Sequence, residues 1–226
     1  MARKGFPKIE ADFRPKGHYF SDNFSGLKEK ALAVLKLILG IALLPLVYSS
    51  SVAFFKQMSL VEKAPQGYFW LGVIIFLVFF LFIWEPEVIY TGGQRLLQYI
   101  FNFFRPLFEI APYVLPVYTI IIFMVYGLLS LSIKDSWLLQ YCLFLVGFSS
   151  TLHIIFTARD LGTKKGDFLK ANYIFGFSMI YIINLMILGL LLSFVLKEFS
   201  IGDFSKYTFS ASGDIFSAVF KQIFGK

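Results

Sequence analysis

The sequence predicts an all-α fold: a polytopic helical membrane bundle of about five transmembrane helices. Three observations lead there. Only 15% of the 226 residues are charged and 58% are apolar, whereas a soluble domain carries roughly 25% charged residues. Mean hydropathy is high, at +0.72. Several apolar runs also reach the roughly 20 residues that a bilayer core demands of a helix, with short polar loops between them.

The net charge of +7 fits basic loops facing anionic lipid, and nucleic acid is not expected as a partner. Cys142 is the single cysteine, so no intramolecular disulfide can form and the redox compartment stays unread.

Residues 1–30 carry seven Lys or Arg and read as a basic cytoplasmic tail. They are too polar for a signal peptide. Gly5, Pro7, Pro15 and Gly17 argue against regular structure until about Ser25, a plausible N-cap. The transmembrane domain covers 31–196. Its first span is about Ala31 to Phe55, with Lys36 placed to snorkel to the headgroups. Pro45 is expected to kink this span, and Ser49, Ser50 and Ser51 can satisfy freed carbonyls. A second span, about Tyr68 to Trp84, is apolar all round, with Tyr68, Trp70 and Trp84 as interfacial anchors.

The stretch 94–110 changes period. Gln94, Gln98, Asn102, Arg105 and Glu109 share one helical stripe, with Arg95 beside it, while Leu96, Leu97, Ile100, Phe101, Phe104, Leu107 and Phe108 share the other face. Such a helix either lies in the interface plane or turns its polar stripe toward a cavity as a sixth crossing.

Three more spans follow, at about Pro112 to Ile133, Trp137 to Ala158 and Tyr173 to Leu196. The tight turn Lys134-Asp135-Ser136 makes the first two of these antiparallel neighbours. The basic loop from Arg159 to Lys170 favours the cytoplasm, as does the N-terminus. Residues 197–226 read as an extramembrane tail whose end, 213–226, is a second amphipathic helix. Its apolar half is Ile215, Phe216, Val219, Phe220, Ile223 and Phe224.

Chemistry enters at Gln94-Arg95-Leu96-Leu97-Gln98. This pentad follows Pro86-Glu87-Val88-Ile89-Tyr90-Thr91-Gly92-Gly93. It precedes Ala111-Pro112-Tyr113-Val114-Leu115-Pro116, the string Leu152 to Thr157, and Asn184. Over roughly residues 80 to 195 the pattern resembles small intramembrane zinc metallopeptidases of the site-2-protease kind. In those proteins a helix opens with His-Glu-x-x-His just after a Tyr-x-x-Gly turn.

The resemblance implies a zinc-binding helix at 94–98, but the residues depart from it where the chemistry lies. Gln94 and Gln98 occupy the places of the imidazoles, and Arg95 that of the acid. Amides are poor zinc ligands, and an arginine can neither tolerate the metal nor act as a base. The resemblance then implies a pseudo-protease, with no cofactor and no catalytic residue.

No Gly-x-Ser-x-Gly, Walker loop or dinucleotide fingerprint is present. Ser149, Ser150 and His153 offer a nucleophile and a base on paper, but such groups in a span ordinarily bond backbone or a neighbouring helix. His153 and Asn184 read as interhelical hydrogen-bonding residues.

The expected function is a non-catalytic membrane scaffold or accessory subunit in an inner or cytoplasmic membrane. Its partner would be a membrane protein or further copies of itself. Gln94, Arg95, Gln98, Asn102, Arg105, His153 and Asn184 would supply the partner or cavity contacts. The alternative is a subunit of a small channel or transporter, in which the same stripe lines a water-filled path.

Overall fold

The computed structural model describes residues 17–82, 87–100, 111, 113–163 and 173–225, and their side chains except at 17–27, 29 and 163. Most of the described residues lie in seven helices: α1 (Gly17–Leu60), α2 (Lys63–Phe82), α3 (Glu87–Ile100), α4 (Val117–Ser130), α5 (Ser136–Thr163), α6 (Tyr173–Val195) and α7 (Ile201–Phe224). No strand occurs among them. Four helices are long and apolar enough to cross a bilayer: Lys30–Leu60 within α1, then α2, Ser136–Gly162 within α5, and α6. The shorter α4 is as apolar. This is an integral membrane protein with an all-α fold.

The bundle is organised around α5. Half of its most apolar window is buried, against 11% for that of α1, so α5 is the central post and α1 a peripheral one. Helix α2 makes the most extensive contact with α5, and α4 and α6 pack on it as well. Gly72 and Gly147 set the α2–α5 approach. A Cβ on Gly72 would lie 2.0 Å from the Phe144 carbonyl oxygen, and one on Gly147 would lie 2.1 Å from that of Phe69. The two backbones touch where side chains would hold them apart.

Helix α1 packs on α6 and α7, and Ser51 shares a hydrogen bond of 2.9 Å with the Tyr181 hydroxyl of α6. The main core gathers Phe54, Met58, Phe69, Leu143, Val146, Leu192, Phe199 and Phe204 at one end of the bundle. A smaller core of Phe76, Tyr90, Leu152 and Phe156 lies toward the other.

Several expected boundaries move. Helix α1 is already formed at Gly17, inside the stretch read as irregular, and runs through Pro45 without interruption. The Ser50 and Ser51 hydroxyls both donate to the Val47 carbonyl, at 3.0 and 2.7 Å. They do not reach the Ile41 carbonyl that Pro45 leaves without its helical donor. Ser49 is buried with no hydrogen-bond partner among the described residues. Lys36 is only 3% exposed, so protein rather than acyl chain covers its stem, contrary to the snorkelling expected.

The helix expected over 213–226 begins at Ile201. The Ser200 side chain caps it by accepting from the Asp203 N–H at 3.1 Å. Asp203 in the first turn and Lys221 in the last suit its dipole. Its first half is not a free surface element: Phe204, Thr208 and Ser212 are buried at four-residue spacing, on a helix that packs chiefly against α1.

Helix α4 is shorter than the span expected over 112–133 because the chain breaks at Leu115–Pro116. Pro116 offers no N–H, and it forces Leu115 out of the helical region. The Val117 N–H then turns to the Leu115 carbonyl, at 2.9 Å. That choice removes the helical donor of the Tyr113 carbonyl. At the far end of α4 the chain reverses through 131–135, where Trp137 Nε1 donates to Asp135 at 3.1 Å, and α5 returns beside α4.

Candidate functional site

Helix α3 is already formed at Glu87, seven residues before the pentad. The Tyr90-Thr91-Gly92-Gly93 run thus lies within it and is not the turn that precedes it. Packing explains this. A Cβ on Gly93 would come within 2.8 Å of the Tyr118 ring and 2.9 Å of Val117, so the glycine is where α4 lies against α3. The Tyr118 hydroxyl closes the contact by donating to the Ile89 carbonyl.

The buried face of α3 carries Tyr90, Gly93 and Leu97, with Gln94 half-buried beside them. Tyr90 stacks on Phe156 of α5, with ring centres 5.2 Å apart. Its hydroxyl meets Thr157 Oγ1 at 3.1 Å. One turn on, the Gln94 amide donates to Asp160 at 3.2 Å. At the rim, Arg159 and Glu87 form an exposed ion pair at 4.0 Å, which is worth little.

Below α3 the polar groups continue in pairs. Thr119 of α4 bonds Ser149 at 2.9 Å and Ser150 at 3.4 Å, and both serines also donate to the Val146 carbonyl. His153 Nε2 lies 3.2 Å from the Tyr113 carbonyl oxygen. A carbonyl only accepts, so this nitrogen carries the proton. Asn184 of α6 donates to the Val114 carbonyl at 3.2 Å and to that of Ile180 at 2.9 Å. The carbonyl stranded by the break before α4 and its neighbour are thereby met from two different helices, as a break at membrane depth requires.

The structure brings Gln94 and His153 to one cavity, together with Tyr90, Gly93 and Ser149. Its volume of about 10 Å³ has room for about one water. Asn184 serves the same Tyr113–Pro116 segment from α6. Arg95 is exposed on the opposite side of α3, and Gln98 is half-buried between the two faces. Asn102 and Arg105, with the rest of the stripe to 110, lie outside the described residues.

Sequence reasoning missed Tyr90, Thr119, Thr157 and Asp160 as members of this cluster. Tyr90 precedes Gln94 by four residues, one helical turn. Extending the stripe upstream past the glycine pair would have found it.

The chain matches no protein-family model, no curated protein and no solved structure. Its site is legible only through its own chemistry, which is one of donors and acceptors satisfied in pairs, neutral apart from the Asp160 carboxyl. Ser149 bonds Thr119 and Val146, while the proton of His153 Nε2 is directed at backbone. Among the described residues, no three His, Cys, Asp or Glu side chains gather around one point.

Tyr90→Phe tests the α3–α5 seam. Removing the hydroxyl should lower stability in detergent by about 1 kcal/mol, the net worth of a neutral hydrogen bond. Thr157→Val should cost the same. The double variant should lose no more than either alone, as read from thermal unfolding of all four proteins in one detergent.

Proposed function

We propose that this protein is a non-catalytic membrane scaffold or accessory subunit. In this reading it holds a transmembrane segment of a partner protein against the outer face of α3. It sits in an inner or cytoplasmic membrane with the basic N-terminal tail in the cytoplasm, an orientation supported by the Lys and Arg of 1–30.

One observation carries the reading. Helix α3 divides its polar groups: Gln94 is committed inward to Asp160, whereas Arg95 stands exposed on a face shared with Val88, Leu96 and Tyr99. Tyr99 is 84% exposed, and Arg95 makes no hydrogen bond or ion pair among the described residues. A guanidinium on an otherwise apolar helical face at a membrane calls for an acceptor. A carboxylate or amide on a neighbouring transmembrane helix supplies one, and Tyr99 offers a flat contact one turn away.

The residues at 94, 95 and 98 support the non-catalytic part of the proposal, since two amides and a guanidinium supply neither a zinc ligand set nor a base. The narrow cavity beneath α3 gives the channel reading no comparable support.

Affinity purification from native membranes in a mild detergent is the test. The wild-type chain should bring down a membrane protein in about equal amount, and Arg95→Leu should retain less than about a tenth of it, as expected if a desolvated charge pair is lost. Repeated recovery of the wild-type chain alone would sink the proposal. So would one tightly held zinc per chain by elemental analysis, or cleavage of a membrane peptide.

A further inference from the structure

A second polar site lies at the other end of the bundle, between α1 and α7. It is a cleft of about 390 Å³ bounded by Lys56, Gln57, Asp203, Lys206, Tyr207 and Ser210, far roomier than the cavity under α3. We propose that it binds the phosphate of an anionic phospholipid headgroup.

The charge is suitable: two lysines against one carboxylate leave a net positive cleft. Lys56 is held in place, its ammonium 4.5 Å above the centre of the Tyr207 ring. The decisive group is Gln57. It is only 6% exposed, and its carbonyl oxygen is occupied by the Ser200 N–H at 3.1 Å. That bond fixes the orientation of the amide and leaves its nitrogen with two donors and no partner among the described residues. An amide edge with unused donors, in a cleft that two lysines also line, is an acceptor-seeking site. A phosphodiester supplies acceptor oxygens and a negative charge together.

The position selects a lipid rather than a dissolved anion. Phe55, next to Lys56, stacks on Trp70 at 5.3 Å. Helices α2 and α5 run in the same direction, since Phe76 meets Phe148 and Phe80 meets Phe156 in turn. Tyr68 and Trp70 on α2 and Trp137 and Tyr141 on α5 therefore lie toward the same end of the bundle. Such an aromatic belt marks the headgroup region, and the cleft opens beside it. A zwitterionic headgroup would bring its own cation toward Lys56 and Lys206, so the site should favour an anionic one.

The test uses the full chain in nanodiscs of phosphatidylcholine, with and without phosphatidylglycerol. Native mass spectrometry should find phosphatidylglycerol retained on the wild-type protein about tenfold over its share of the bilayer. The double variant K56Q/K206Q should lose that preference. K63Q/K134Q, which removes the lysine that opens α2 and one from the turn before α5, should keep it. In the wild-type protein, acylation of Lys56 and Lys206 by an amine-reactive reagent should slow when phosphatidylglycerol is present, while Lys63 reacts as before. No preference in the wild type would overturn the proposal, as would equal loss in both double variants or unchanged preference in K56Q/K206Q. Equal protection of the two lysines by inorganic phosphate in pure phosphatidylcholine would assign the cleft to a dissolved anion and overturn the lipid assignment.

Discussion

Gly72→Ala should prevent this protein from reaching its native packing, although it adds a single methyl group to an apolar helix. The added carbon would sit 2.0 Å from the Phe144 carbonyl oxygen and 2.9 Å from the Phe148 backbone nitrogen. Gly147→Ala would place its own 2.1 Å from the Phe69 carbonyl oxygen. Backbone, unlike the end of a flexible side chain, cannot swing away, so α2 must move off α5 along the largest helix–helix interface in the described bundle. Overpacking a core typically costs about 1–3 kcal/mol, and a backbone-to-backbone contact belongs at or above the top of that range. Alanine otherwise favours a helix over glycine by up to about 1 kcal/mol, a gain too small to offset the clash.

Gly67→Ala and Gly127→Ala are the controls. A Cβ at either position meets nothing within 4 Å, so these variants should be neutral or slightly more stable. Thermal unfolding in detergent, with the monodisperse fraction after gel filtration, separates the outcomes. Full stability of Gly72→Ala would mean that α2 and α5 do not touch at these residues.

That seam was not legible in the sequence, for a reason particular to it. A small-residue contact is read when two small residues recur four apart on one helix. Here each helix contributes one glycine, and only the folded pairing sets Phe69 over Gly147 and Phe144 over Gly72. The spans themselves were legible because membrane crossing depends on length and apolarity, which are local properties.

Boundaries failed where tertiary packing overrode a local signal. The glycine pair at 92–93 looks like a turn, but Tyr118 and Val117 of α4 close on Gly93 and keep the helix going. The start of α7 was hidden in the same way. Its first half buries Phe204, Thr208 and Ser212 at four-residue spacing, a line too narrow and too polar to register as an amphipathic face. Only the fatter apolar stripe from Ile215 stood out. Within the candidate site, Gln94, His153 and Asn184 were found because polar groups in apolar runs are costly and conspicuous. Thr119 and Thr157 elsewhere in the cluster, and the Tyr113 and Val114 carbonyls that His153 and Asn184 meet, were not, since hydroxyls are common in spans and a carbonyl has no letter in the sequence.

The break before α4 supplies the second large effect. Asn184→Leu and His153→Leu each remove a donor from a segment whose backbone has already lost its helical partners. The unmet carbonyl should cost about 1–3 kcal/mol each time. Hydrogen bonds between membrane helices average only about 0.6 kcal/mol, because the groups find other partners when one is lost. At Tyr113 the helical donor offers no such escape, since Pro116 has sent the Val117 N–H to Leu115. The two losses should not add. Once either donor is gone, the segment is free to turn its carbonyls toward water, and the second removal then costs less.

Hydrogen–deuterium exchange reports this directly. Peptides across 113–120 should exchange at least about tenfold faster in either variant and no more than severalfold faster again in the double, while α2 stays protected. His153→Gln, which keeps a donor within reach of the carbonyl, should recover part of the protection. Unchanged exchange in His153→Leu would show that the Tyr113 carbonyl has found its donor elsewhere. The side chains at 153 and 184 would then have to be explained by the cavity and not by the backbone they hold.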